Sequence, residues 1–361
     1  MSKYVYSSSP QIKSGRTTKR IMIDVCIALL PACIAGCILL GWGQPQLGWG
    51  ALLQLAIACI SAVAAEFVFK LCCKKSFSTI LEEFDYTSLV TGLLIGMNMY
   101  ANSKWYVPLL ASVFAIVIVK MLFGGTGKNI VNPAIAGRIF AFISFGAAFG
   151  GSMEFSNVVV GPTYHYIQGA TPLQALFGKA ADSTLTNLDL FLGTGVSGCI
   201  GETCKLALIL GGIYLIVRGV LNFRWPLVYI AATGVTAVII SWINKCNAFA
   251  ADGGTLSGVM IGEFFGKALG DFLPSILSGG LILGAIFMAT DFVTTPNTKL
   301  GNYIYFVLLG IVTAVLRNAV KGEAVSFAIL LMNLFVPLID MYIVRKPFGY
   351  VKPQKAKKEA K

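Results

Sequence analysis

Thr171, Pro172 and Gln174 stand in the stretch "QGATPLQAL", Gln168 to Leu176, between two blocks of strongly apolar sequence. A threonine followed by proline, with glutamine three positions on, is the pattern of a helix start. The hydroxyl is the N-cap, the proline takes the first helical position, and the glutamine closes a capping box. A hydroxyl at the positive end of a helix is also placed to carry an anionic group, because the first amides of the helix point toward it without partners. Gly169 and Ala170 leave room beside it.

Three further stretches set polar residues within or beside membrane-grade apolar sequence. "GGTGKNIVNPAIAGR", Gly124 to Arg138, puts Asn129 and Asn132 just ahead of Pro133. "GTGVSGCIGET", Gly193 to Thr203, carries Ser197, Glu202 and Thr203, and "MATDFVTTPNT", Met288 to Thr298, carries Asp291, Thr294 and Thr295 ahead of Pro296. Irregular backbone at membrane depth persists only where it is buried in protein or lines a cavity. Three such stretches in one chain predict a shared interior site. Asp24, Glu66, Glu202 and Asp340 are candidates of a second kind, since a carboxylate at the bilayer centre costs ~2.5 to 3.5 kcal/mol on insertion scales and is kept for a use. Glu82 and Glu83 read as a solvated face, and His165, the only histidine, as a solvated loop residue between Tyr164 and Tyr166. The nine cysteines contain no C-x-x-C, so the sequence predicts buried thiols and neither a zinc site nor an iron–sulfur loop. No residue carries a catalytic pattern of its own.

The elements that must position these groups are membrane helices. Of 361 residues, 56% are hydrophobic and 12% charged, about half the charge of a soluble chain. Mean hydropathy is +0.77. The first twenty residues are polar and basic, and the apolar run after them is long enough to be retained as a span rather than cleaved. Ten runs approach the length of a membrane crossing. They lie near Ile21 to Gly41, Leu47 to Leu71, Tyr86 to Tyr100, Tyr106 to Phe123, Ile130 to Phe149, Phe191 to Val217, Pro226 to Ile243, Leu273 to Ala289, Tyr303 to Leu316 and Val325 to Val344.

The net charge of +12 collects at the two ends of the chain, which speaks for cytoplasmic termini and an even number of spans and against a nucleic-acid surface. Lys70, Lys74, Lys75, Lys120, Lys128, Arg218, Arg224 and Lys299 then fall on the inner face, while Arg317 and Lys321 are exceptions, placed outside or within the protein. The loop from Gly150 to Asp189 has Lys179 as its one base against Glu154, Asp182 and Asp189, and is expected on the outer face.

"TGLLIG", Thr91 to Gly96, and "GGLILG", Gly279 to Gly284, resemble each other in spans of opposite direction. The expected fold is therefore all-α and polytopic, ten transmembrane helices in a five-plus-five inverted repeat with short or broken helices meeting at a site. The expected division is a basic cytoplasmic N-terminus (1–20), a first repeat (21–149), an outer loop (150–190), a second repeat (191–344) and a basic cytoplasmic tail (345–361). By pattern alone a secondary transporter or channel fits equally well.

"GKNIVNPAIAGR", "GATPL", "SGCIGET", "MATDFVTTP" and "EAVSFAILLMN", in this order over nearly the whole chain, resemble the D subunit of the Rnf ferredoxin:NAD+ oxidoreductase and its relative, the B subunit of the sodium-pumping NADH:quinone oxidoreductase. Length and the short N-terminus are more similar to the former. The resemblance implies an electron-transfer subunit of an ion-translocating complex in the inner membrane of a prokaryote, coupled to Na+ or H+. It implies FMN joined through its phosphate to Thr171, with Gly169 and Ala170 beside it, although Gln168 stands where the family commonly has a hydroxyl residue. It implies a noncovalent riboflavin near Asn129, Asn132 and Asp291. The implied partners are the other membrane subunits, an FMN-bearing G-type subunit outside and a C-type subunit in the cytoplasm.

Overall fold

In a computed structural model the described residues are 17–42, 45–74, 76–149, 186–194, 196, 198–251, 258–320 and 323–344. Thr171, Gly169, Ala170, His165 and Ser197 lie outside them, as do residues 1–16 and 345–361. Among the described residues every regular element is a helix. In chain order these are α1 (Thr18–Gly41), α2 (Pro45–Cys72), α3 (Phe77–Glu82), α4 (Thr87–Met97) and α5 (Tyr106–Val113), which runs on as a π-helix over Phe114–Met121. Then come α6 (Pro133–Ser144), α7 (Gly146–Phe149), α8 (Asn187–Leu192), a 3-10 turn over Ile200–Glu202, α9 (Lys205–Val217), α10 (Arg224–Ala251), α11 (Gly258–Gly270) and α12 (Phe272–Leu277). α13 (Leu281–Leu283) runs on as a π-helix over Gly284–Met288, and α14 (Lys299–Val320) and α15 (Val325–Tyr342) complete the series.

Five of these, α1, α2, α10, α14 and α15, are long and apolar enough to cross a membrane. A sixth crossing results if α11 to α13, bent by 62° at one break, count as one span. At 1.5 Å per residue the 11 residues of α4 reach ~16 Å, about half the hydrocarbon core, too short to cross it alone.

α2 shows how sequence becomes packing. Ala51, Leu55, Ala58, Ala62 and Ala65 recur every three or four residues and are buried, while Trp49, Leu52, Ile60 and Val68 on the other face are exposed. Small residues inside and large apolar ones outside are what lipid favours, since close helix contact rather than water exclusion drives association there. Gly92 of α4 uses that surface: a Cβ on it would sit 2.8 Å from the Ala58 carbonyl oxygen.

The structure redraws three expected spans. Ile130 to Phe149 is helical only from Pro133, because Asn132 is an N-cap whose side chain accepts from the Ala134 amide. Phe191 to Val217 is interrupted between α8 and α9, where Gly193 takes φ +86. Leu273 to Ala289 is two helices parted at Ser278 to Gly280, with Gly279 at φ +67, and α11 precedes it where the apolar pattern predicted only a connection.

Candidate functional site

The start of α6 is the natural place to build from. Asn132 caps α6 by accepting from the Ala134 amide, and Pro133 takes the first helical position. Both line a cavity of about 130 Å³. Asn129, Asn132 and Asp291, drawn from two separate polar stretches, all line it. Asn132 Nδ2 donates to the Met288 carbonyl at 3.0 Å. That carbonyl lies at the end of the π-helical run, where widened turns free main-chain acceptors. Asp291 accepts from Thr294 Oγ1 at 3.4 Å, its main-chain carbonyl accepts from Thr295 Oγ1 at 3.0 Å, and the Asn129 amide faces it.

A second helix start meets the same cavity. Thr87 and Thr91 of α4 line it together with Lys120, and the apolar wall comes from Val25, Leu94, Leu215, Leu221, Ile286 and Phe287. Lys120 is 3% exposed. Its ammonium lies 2.8 Å from Glu66 Oε2 and 2.5 Å from Thr87 Oγ1, and Glu66 Oε1 is 2.6 Å from Lys70. Asp85 holds the start of α4, accepting from the Thr87 amide at 3.2 Å, Thr87 Oγ1 at 2.6 Å and Thr126 Oγ1 at 2.7 Å. A polar wall opposite an apolar one suits a flat aromatic ligand with a hydrogen-bonding edge.

The remaining intramembrane acids are elsewhere and each has partners. Asp24 accepts from Tyr214 at 3.1 Å and pairs with Arg218 at 3.1 Å, joining α1 to α9. Asp340 accepts from Asn297 at 3.0 and 2.8 Å near the end of α15. Glu202 pairs with Arg138 at 3.3 Å in a buried cluster with Glu323, Arg317 and Lys205. Arg317, the positive-inside exception, is within the protein: it donates to the Ser275 and Ser278 carbonyls at 2.8 and 3.2 Å, at the end of α12. A cavity of about 40 Å³ lined by Tyr100, Arg138, Glu323 and Ser326 adjoins this cluster.

Sequence reasoning missed Lys120 and the threonines of α4 as cavity groups, since Lys120 reads as an inner-face charge. The one available signal was "TGLLIG" itself, whose first residue, Thr91, faces the cavity.

The helices and this site define a multi-pass membrane protein with a cavity of mixed polar and apolar lining between its helices. The chain belongs to the NQR2, RnfD, RnfE family, whose pattern matches residues 5–349. It is 36% identical over 358 residues to the D subunit of the Na(+)-translocating ferredoxin:NAD(+) oxidoreductase complex of Acetobacterium woodii, covering 98% of this chain and 97% of that one. It is 33% identical over 357 residues to the D subunit of the proton-translocating ferredoxin:NAD(+) oxidoreductase complex of Clostridium ljungdahlii, covering 96% of each. To the D subunit of the ion-translocating oxidoreductase complex of Alcanivorax borkumensis it is 29% identical, covering 96% of this chain and 97% of the relative.

Proposed function

We propose that this chain is the membrane electron-transfer subunit of an ion-translocating ferredoxin:NAD+ oxidoreductase complex, coupling electron flow to Na+ or H+ movement. It is placed in the inner membrane with both termini in the cytoplasm, among the other membrane subunits, a G-type subunit outside and a C-type subunit inside. Similarity to complex subunits over nearly the full length supports the class. The observation that carries the site is the convergence of Asn129, Asn132 and Asp291 on one cavity.

The donor set of that cavity fits riboflavin. Amide and hydroxyl groups match the edge of a flavin ring, and the apolar wall matches its face. Lys120, the one cation lining it among the described residues, is already engaged by Glu66 and Thr87, so no basic group is left for a phosphate, and a flavin without one is the better occupant. When bound, riboflavin would supply one-electron chemistry; the chain orients it and keeps water out. Asn132 holds the wall through Met288, and the starts of α4 and α6 are already met by Asp85 and by the Asn132 side chain.

The five-plus-five inverted repeat also gains support. α4 and α13 are both short, each follows a break, and a base from the end of the next helix reaches each break: Lys120 at Thr87, the first residue of α4, and Arg317 at the Ser278 carbonyl ahead of α13. Residues 21–149 and 191–344 are then the two repeats, ten spans in all, and 150–190 is the outer loop bearing FMN at Thr171.

The test is a substitution series on the full chain co-expressed with a flavin transferase. Thr171→Asn keeps a good N-cap acceptor but has no hydroxyl to esterify, so it should fold and lose in-gel flavin fluorescence; Thr171→Ser should keep part of it. Intact mass of wild type should rise by one FMN on the peptide containing Thr171. An asparagine variant that stays fluorescent places the anchor at another hydroxyl, and a colourless wild type speaks for a transporter or channel.

A further inference from the structure

We propose that the buried charge cluster around the α12–α13 break is a fixed positive counter-charge for the redox group of the 130 Å³ cavity, with Arg138 as the residue that positions it. The proposal rests on the riboflavin reading of that cavity.

Among the described residues the cluster holds three cations and two carboxylates. Arg138, Arg317 and Lys205 are 8, 2 and 1% exposed. Glu202 answers Arg138 at 3.3 Å and Glu323 answers Arg317 at 3.6 Å. Lys205 donates to the main-chain carbonyl of Glu202, a neutral acceptor. Both carboxylates close on the glycine turn itself. A Cβ on Gly280 would lie 2.8 Å from Glu202 Oε1, and one on Gly279 would run into Glu323 Oε2. The two glycines are therefore the space in which the acids sit, and the formal count leaves one positive charge over. An uncompensated buried cation is costly unless negative charge arrives nearby.

Arg138 is the member of the cluster that side-chain contacts link to the cavity. Arg138 lies six residues after Asn132 on α6, about 9 Å along the axis by helical rise. Its Nη1 donates to Asn98 Oδ1 at 2.8 Å, Asn98 Nδ2 donates to Met288 Sδ at 3.8 Å, and the Met288 carbonyl accepts from Asn132 in the cavity wall. Arg138 Nη1 also donates to Ser326 at 2.9 Å, so the guanidinium is fixed from α15 as well. Charges buried this way are little screened by salt, and their field reaches a neighbouring site that gains an electron. A purely structural role would need the pairing but not the excess.

The test is the midpoint potential of the extractable flavin in the intact purified complex, with its stoichiometry measured on the same preparation. Arg138→Gln should make reduction harder by about tenfold in the one-electron equilibrium, a shift near 59 mV, and Arg138→Lys should restore most of it. Glu202→Gln should shift the midpoint in the opposite direction, and the double variant should return toward wild type. Structural damage does not reverse sign with the charge removed. If Arg138→Gln fails to assemble, Lys205→Met and Glu202→Gln still make the opposed pair. Opposite shifts at normal flavin content support the proposal; unmoved midpoints, or shifts of one sign, overturn it alone. Wild type without extractable flavin overturns the riboflavin reading, and this proposal with it.

Discussion

The start of α4 and the start of α13 solve one problem in two ways. Each is a helix that begins next to a break, with amides lacking helical partners and an acid to meet them. Before α4 the acid is Asp85, and the chain turns through Tyr86 at φ 62, a left-handed position that a bulky residue occupies at a cost of ~1 to 2 kcal/mol. At the start of α13 the acid is Glu323, which reaches in from just ahead of α15 to accept from the Gly280 amide at 3.1 Å, and the turn is made by glycine. The bases differ in consequence. Lys120 bridges Glu66 and the Thr87 hydroxyl at the start of α4 and lines the 130 Å³ cavity, whereas Arg317 satisfies the carbonyls ending α12. Beside one break the fold leaves the 130 Å³ cavity; at the other, side chains close on the turn as a charge cluster.

That contrast breaks first at Arg317. Arg317→Met leaves the Ser275 and Ser278 carbonyls and part of Glu323 without a partner, so the detergent-solubilised protein should lose about 3 kcal/mol or more of stability, seen as a lowered unfolding midpoint. Lys120→Met should cost less, about 1.5 to 3 kcal/mol, because Glu66 keeps Lys70 at 2.6 Å; an equal loss at both positions would mean the two breaks are energetically alike. Asn132→Leu removes the N-cap of α6, worth ~0.5 to 2 kcal/mol, and the donor to Met288. Its sharper effect should be a several-fold fall in extractable riboflavin with covalent flavin retained, measured by chromatography after acid extraction.

The smallest effect is at Asp85, in the turn between α3 and α4 outside the spanning segments. Burial pushes its carboxyl up, but hydrogen bonds from Thr87 and Thr126 and the charge of Lys120 together bring it below the ordinary carboxylate range. A carboxyl lowered in the folded state adds stability that is present above its unfolded value of about 3.9 and is lost as pH falls through the lower folded value. Asp85→Asn should remove that dependence, so variant and wild type should converge as unfolding is followed from pH 6 toward pH 3.

Much of this was written in the order of residues. The apolar runs foretold a chain of apolar helices, because span length is a local rule that a short window satisfies, whereas the start of α6 at Pro133 fell inside a run read as one span from Ile130. The three polar stretches were legible as breaks in the apolar pattern, since lipid tolerates no unsatisfied backbone. Which of them meet was decided by the fold. Asn129, Asn132 and Asp291 share a cavity because Met288 ends a π-helical run whose free carbonyl Asn132 can reach, a pairing across 156 residues of chain. Lys120 becomes a cavity wall only because Glu66, on another helix, draws its ammonium inward, and Arg317 is buried only because two carbonyls and Glu323 wait for it at a break that glycine permits. Charge compensation inside a membrane is a property of neighbours, and tertiary packing alone chooses neighbours.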